Sequence, residues 1–93
     1  MKNLFTNQMR KQLSASRAIA TVTIDKVEDT QPLAEALLSG GVRVVEVTLR
    51  TPLALQAMRS IAKNYPELLV MAGTVITPQQ VKQVQDAGAV CAV

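Results

Sequence analysis

The chain reads as an α/β protein built from successive strand–helix units, and three observations point there. Short apolar runs at residues 18–24, 42–49, 68–72 and 89–93 recur at a spacing of roughly 25 residues. Amphipathic stretches of helical period lie between them. The pattern Thr-x-x-Thr-Pro also occurs twice, 26 residues apart, each time where an apolar run hands over to an amphipathic stretch. Strands alternating with helices in this way are the signature of βα units on a parallel sheet.

The elements follow in order. Residues 1–17 form an N-terminal helical segment in which Leu4, Phe5, Met9 and Leu13 make an apolar face for packing onto the rest. Lys2, Arg10, Lys11 and Arg17 all precede the first acid, Asp25, so a transit peptide or an anchor to an anionic surface is the other reading of this end. After the first apolar run, a helix is expected over 30–39, with Leu33, Ala36 and Leu37 inward and Gly40-Gly41 closing it in the left-handed conformation that glycine supplies. The next helix places Ala54, Ala57, Met58, Ile61 and Ala62 on one face, with Gln56, Arg59 and Lys63 turned away. A last helix begins its apolar face with Val81 and Val84 and stops at Gly88. In both Thr-Pro pairs, Thr51-Pro52 and Thr77-Pro78, the threonine suits an N-cap and the proline the first helical position. Thr77 with Gln80 completes a capping-box pattern.

The order is therefore a leading helix, then βαβαβα, then the start of a fourth parallel strand. Parallel strands need both faces covered, and a closed (β/α)8 TIM barrel takes eight units and at least about 200 residues. Residues 18–93 hold three and a half units and end inside an apolar run, so they read as the N-terminal portion of such a barrel. With 48% hydrophobic residues but only Phe5 and Tyr65 as aromatics, the core is aliphatic. From Asp25 onward seven acids face six bases, and there are neither aromatic platforms nor basic patches to bind nucleic acid. A chain without histidine and with the single cysteine Cys91 offers no His/Cys metal site and fits a reducing compartment. No apolar run reaches the length of a signal peptide or membrane span, which points to the cytoplasm.

One strand carries charges that a core strand normally excludes. Along Val44–Arg50, alternation places Val45, Val47 and Leu49 on one face and Val44, Glu46, Thr48 and Arg50 on the other. The apolar face suits the helices; the other would look into a barrel, with Glu46 low and Arg50 at the C-terminal rim, where barrel enzymes build their sites. Alternation would also set Thr74, at the end of the third strand, close to Arg50. Two readings are open on spacing alone. Glu46 and Arg50 belong to an interior salt bridge or polar layer, or they serve a pocket separately, Glu46 as general acid or base and Arg50 as a bidentate grip on a carboxylate or phosphate.

The stretch Gly40-Gly41-Val42-Arg43-Val44-Val45-Glu46-Val47-Thr48-Leu49-Arg50-Thr51-Pro52 closely resembles the second-strand motif of the 2-keto-3-deoxy-6-phosphogluconate (KDPG) and 4-hydroxy-2-oxoglutarate (KHG) aldolases. Ala72-Gly73-Thr74-Val75 and Thr77-Pro78-Gln79-Gln80 resemble the third-strand motif and the helix after it, and Ala87-Gly88-Ala89 the entry to the fourth strand. The resemblance implies a class I aldolase that forms a Schiff base between a lysine and a 2-oxo acid. It would cleave 2-keto-3-deoxy-6-phosphogluconate to pyruvate and glyceraldehyde 3-phosphate, or 4-hydroxy-2-oxoglutarate to pyruvate and glyoxylate. It further implies Glu46 as the catalytic proton shuttle, and Arg50 and Thr74 as ligands of the substrate carboxylate end. No metal or other cofactor is implied, and the family's usual assembly is a cytoplasmic homotrimer acting on a small-molecule substrate.

Two departures qualify the resemblance. Ala20 stands where the family's first strand has a proline in a Val-Pro-Val-Ile-like run. The Schiff-base lysine lies on the family's sixth strand, and the phosphate-binding loops follow the seventh and eighth, beyond anything these residues contain. Lys2, Lys11, Lys26, Lys63 and Lys82 fall in the N-terminal segment, a loop or polar helix faces, where an amine stays solvated. The chain is expected to be inactive alone. The competing expectation is a free-standing half-barrel whose uncovered strands make it a self-associating interaction or assembly module.

Overall fold

The computed structural model describes residues 6–16 and 18–93. The expectations for Lys2, Leu4, Phe5 and Arg17 fall outside them. Four strands, β1 (Ile19–Val22), β2 (Val44–Thr48), β3 (Leu69–Gly73) and β4 (Cys91–Ala92), form one parallel sheet in the order β1-β2-β3-β4. A helix precedes the sheet, α1 (Asn7–Ala15), and three connect its strands: α2 (Thr30–Ser39), α3 (Ala54–Asn64) and α4 (Pro78–Asp86). A 3₁₀ turn at Val27–Asp29 leads into α2. Each strand pairs with the next in sequence, as in the successive units of a barrel wall.

Alternation sorts the side chains of the sheet onto two faces. Ile24, Val45, Val47, Val70 and Ala72 join Ala34 of α2, Ala57, Met58 and Ile61 of α3, and Val84 of α4 in one buried core. Leu49 packs against the same core, as its place beside Val45 and Val47 predicts. On the opposite face Val44, Leu69 and Met71 form a second cluster, covered by Met9 and Leu13 of α1 together with Val90 and Cys91. Gln12 Nε2 pins α1 there by donating to the Glu67 carbonyl at 3.2 Å. The leading helix thus closes the N-terminal end of the inward face, leaving its C-terminal end for other uses.

Helix ends show which local signals outcompete others. At the end of α2, the Gly41 N–H bonds the Leu38 carbonyl and the Val42 N–H that of Leu37, with Gly41 at φ 82°. The same pair of bonds closes α4, from Gly88 to Gln85 and from Ala89 to Val84. At its start, Thr77 Oγ1 accepts from the Gln80 N–H (3.1 Å), while Gln80 Oε1 accepts from the N–H of Thr77 (3.2 Å) and of Ile76 (2.8 Å). This is the predicted capping box, with Pro78 in the first turn. Thr51-Pro52 behaves differently from expectation. The helix that follows starts only at Ala54, with Leu53 at the N-cap and no side-chain cap. The Thr51 hydroxyl instead donates to the Ile24 carbonyl at 2.7 Å, tying the turn after β2 to the segment after β1.

Candidate active site

The polar side chains of the inward face begin at its middle row, beside the cluster that α1 covers, and continue to its C-terminal end. Thr21, Glu46, Met71 and Cys91 stand in cross-strand register on β1 to β4. Glu46 is the one carboxylate of that row, half-buried between Val44 and Thr48. Its side chain leans along the strand toward Gly73, the residue paired with Thr48. A Cβ built on Gly73 would lie 2.5 Å from Glu46 Oε2 and 3.0 Å from its Cδ. The carboxylate therefore occupies space that any other residue at position 73 would fill.

The next residue is Thr74. It has φ 61°, the one non-glycine residue with positive φ among those described. A β-branched side chain in the left-handed region is a genuine outlier, costing of the order of 1–3 kcal/mol, and such strain is concentrated at functional sites. Beyond Thr48 the chain leaves the strand, so Arg50 sits in the turn after β2 rather than on a continued inward face. There it is exposed. Among the described residues it makes no ion pair with Glu46. The two charges are thus not a mutually neutralising interior pair, and each is available to something else.

Hydroxyls brace this rim in a way the sequence reading missed. Thr48 Oγ1 lies 2.8 Å from Thr23 Oγ1 and donates to the Val22 carbonyl at 3.3 Å, and Thr51 binds Ile24 as described. Arg50 is therefore flanked by two threonines anchored to the end of β1. The sequence signal was the threonine on each side of it, but each partner lies 25 to 27 residues away.

Lys11, Lys26, Lys63 and Lys82 are exposed and point to solvent, while Lys2 lies outside the described residues. No cluster of three acid, cysteine or histidine side chains among the described residues could hold a metal ion. No described helix is long and apolar enough to cross a membrane. A shallow groove along α4, lined by Ile76, Pro78, Val81, Lys82, Gln85 and Asp86, contains neither Glu46 nor Arg50.

Comparison with known proteins decides the family. The family model described as KDPG and KHG aldolase matches residues 9–93. The chain belongs to this aldolase family. It is 47% identical over 89 residues to the KHG/KDPG aldolase of Escherichia coli K12, an alignment covering 96% of the chain and 41% of that protein. A 2-dehydro-3-deoxy-phosphogluconate aldolase of Dickeya dadantii is 46% identical over the same shares. The chain thus spans about two fifths of the length of the curated aldolases it matches. Among solved structures, a KDPG aldolase from Legionella pneumophila, with pyruvate captured as a covalent carbinolamine, superposes with TM-score 0.81 at 48% identity. That match covers 87% of this chain and 39% of the other. A Zymomonas mobilis ZM4 KDPG aldolase with 3-phosphoglycerate gives 0.78 at 40% identity, covering 86% and 38%. The parallel sheet and its helices are accordingly the N-terminal portion of the aldolase barrel, as the βα spacing predicts.

Proposed function

We propose that residues 18–93 carry the acid/base and carboxylate-binding half of a class I aldolase site, with the segment before them set apart from it and its described helix, α1, covering the barrel's N-terminal end. The observation that carries the reading is Glu46, a half-buried inward carboxylate laid over Gly73 beside the strained Thr74. In the reaction, a lysine amine condenses with the keto group of a 2-oxo acid and loses water. The resulting iminium accepts the electron pair released when the carbon–carbon bond breaks, and hydrolysis then frees pyruvate. Glu46 moves the protons these steps require, to and from the hydroxyl, water and nascent methyl group. Arg50 grips the substrate carboxylate, and Thr74 hydrogen-bonds the same end. None of the five lysines is suited to be the nucleophile, so the chain alone is inactive and the lysine comes from sequence outside it.

The names of the relatives favour 2-keto-3-deoxy-6-phosphogluconate and 4-hydroxy-2-oxoglutarate as substrates. On this reading the complete enzyme is a cytoplasmic homotrimer of the Entner–Doudoroff type, with no metal or other cofactor and neither nucleic acid nor membrane as partner. A second reading draws on Ile19 and Val93, 47% and 60% exposed on the two edge segments of the sheet. Uncovered apolar edges favour self-association, so the 93 residues by themselves would behave as an assembly module.

Arg50 supplies the test of the binding half. In an aldolase containing this chain, Arg50→Gln removes a charge-assisted grip and raises KM for the 2-oxo acid roughly 30- to 100-fold. An unchanged KM in steady-state assays would remove Arg50 from the site.

A further inference from the structure

Resting on the assignment of Glu46 as the proton shuttle, we infer that Gly73 is a positioning residue for that carboxylate, acting through the side chain it lacks. The position does not require glycine for its backbone, since the described positive-φ glycines are Gly41 and Gly88. Nor does the strand favour it: glycine weakens a strand interior and usually marks a close approach of another group. The approaching group here is identified. A methyl at position 73 would meet Glu46 at Oε2 (2.5 Å), Cδ (3.0 Å) and Cγ (3.2 Å). At 2.5 Å something must move, and the free end of the Glu46 side chain is what can. Main chain on both sides is held, by the Thr48–Gly73 register and by the Leu49 N–H on the Gly73 carbonyl at 2.9 Å. The added methyl therefore displaces the carboxylate and leaves the sheet in place. Because Gly73 directly precedes Thr74, the two consecutive residues set where the acid stands and where the carboxylate-binding hydroxyl stands.

The experiment compares Gly73→Ala, Glu46→Gln and the double variant in an aldolase containing this chain. Gly73→Ala is expected to lower kcat 10- to 100-fold, with KM for the 2-oxo acid within about threefold and the circular dichroism spectrum unchanged. In the Glu46→Gln background the same substitution should cost less than about twofold further, because displacing a group that no longer transfers protons has no consequence. Full activity in Gly73→Ala, or losses that multiply in the double variant, would overturn the inference while leaving Glu46 in its role. Full activity in Glu46→Gln would overturn the role itself and the inference with it.

Discussion

Replacing Glu46 by Gln in an aldolase that contains this chain is expected to lower turnover by about 10²- to 10⁴-fold, the usual range for a positioned acid or base. The fold should be retained, because the amide is isosteric with the carboxylate and fits the same space over Gly73. Glu46 has no ion-pair partner among the described residues to leave stranded. The measurement is kcat by coupled assay of pyruvate release, together with far-UV circular dichroism. An unchanged rate would return Glu46 to the alternative reading, a polar group filling a layer of the barrel interior.

Met58→Ala is expected to have the largest effect on stability. Met58 is 0% exposed, the first by volume of the fully buried side chains among the described residues, and lies where α3 meets the sheet. Truncating a buried methionine to alanine costs about 2–5 kcal/mol through lost transfer energy and the cavity left behind. Total stability for a chain of this length is of the order of 5–14 kcal/mol. One sheet with two edges and a partly open face sits at the low end, so the loss is a large share of the whole. Urea unfolding followed at 222 nm should show the midpoint collapse. Gln56→Ala, on the exposed side of the same helix, should stay within about 0.5 kcal/mol of the parent. Equal effects at both positions would contradict the assignment of the α3 face.

The two Thr-Pro sites show how far local sequence carries. Both offer the same cap signal, yet only Thr77 uses it. Gln80 can return the bond within one helical turn, so that motif is complete without outside help. Thr51 has no such partner in its own turn, and the Ile24 carbonyl, distant in sequence, takes its hydroxyl. The bounds of α2 were readable because Gly40-Gly41 close it by local bonds alone. The facing of β2 was readable because period-two alternation needs only one strand. Gly73 was not, since its contact with Glu46 depends on the register between β2 and β3. The backbone conformation of Thr74 was not either, although the residue itself stands out in the third-strand motif: a β-branched residue is among the last that propensity assigns to positive φ. The site is thus legible where one element determines it and hidden where two elements meet.

Trapping with pyruvate and borohydride, read by intact-mass spectrometry, tests the division of labour most directly. Borohydride reduces an imine to a stable amine, so any lysine that forms a Schiff base is recorded as added mass. An unmodified mass is expected for the 93-residue chain, and a single pyruvate adduct, on a lysine outside residues 1–93, for an aldolase that contains it. An adduct on the 93-residue chain would contradict that division. One of Lys2, Lys11, Lys26, Lys63 or Lys82 would then be a nucleophile, and these residues would hold more than half of the site.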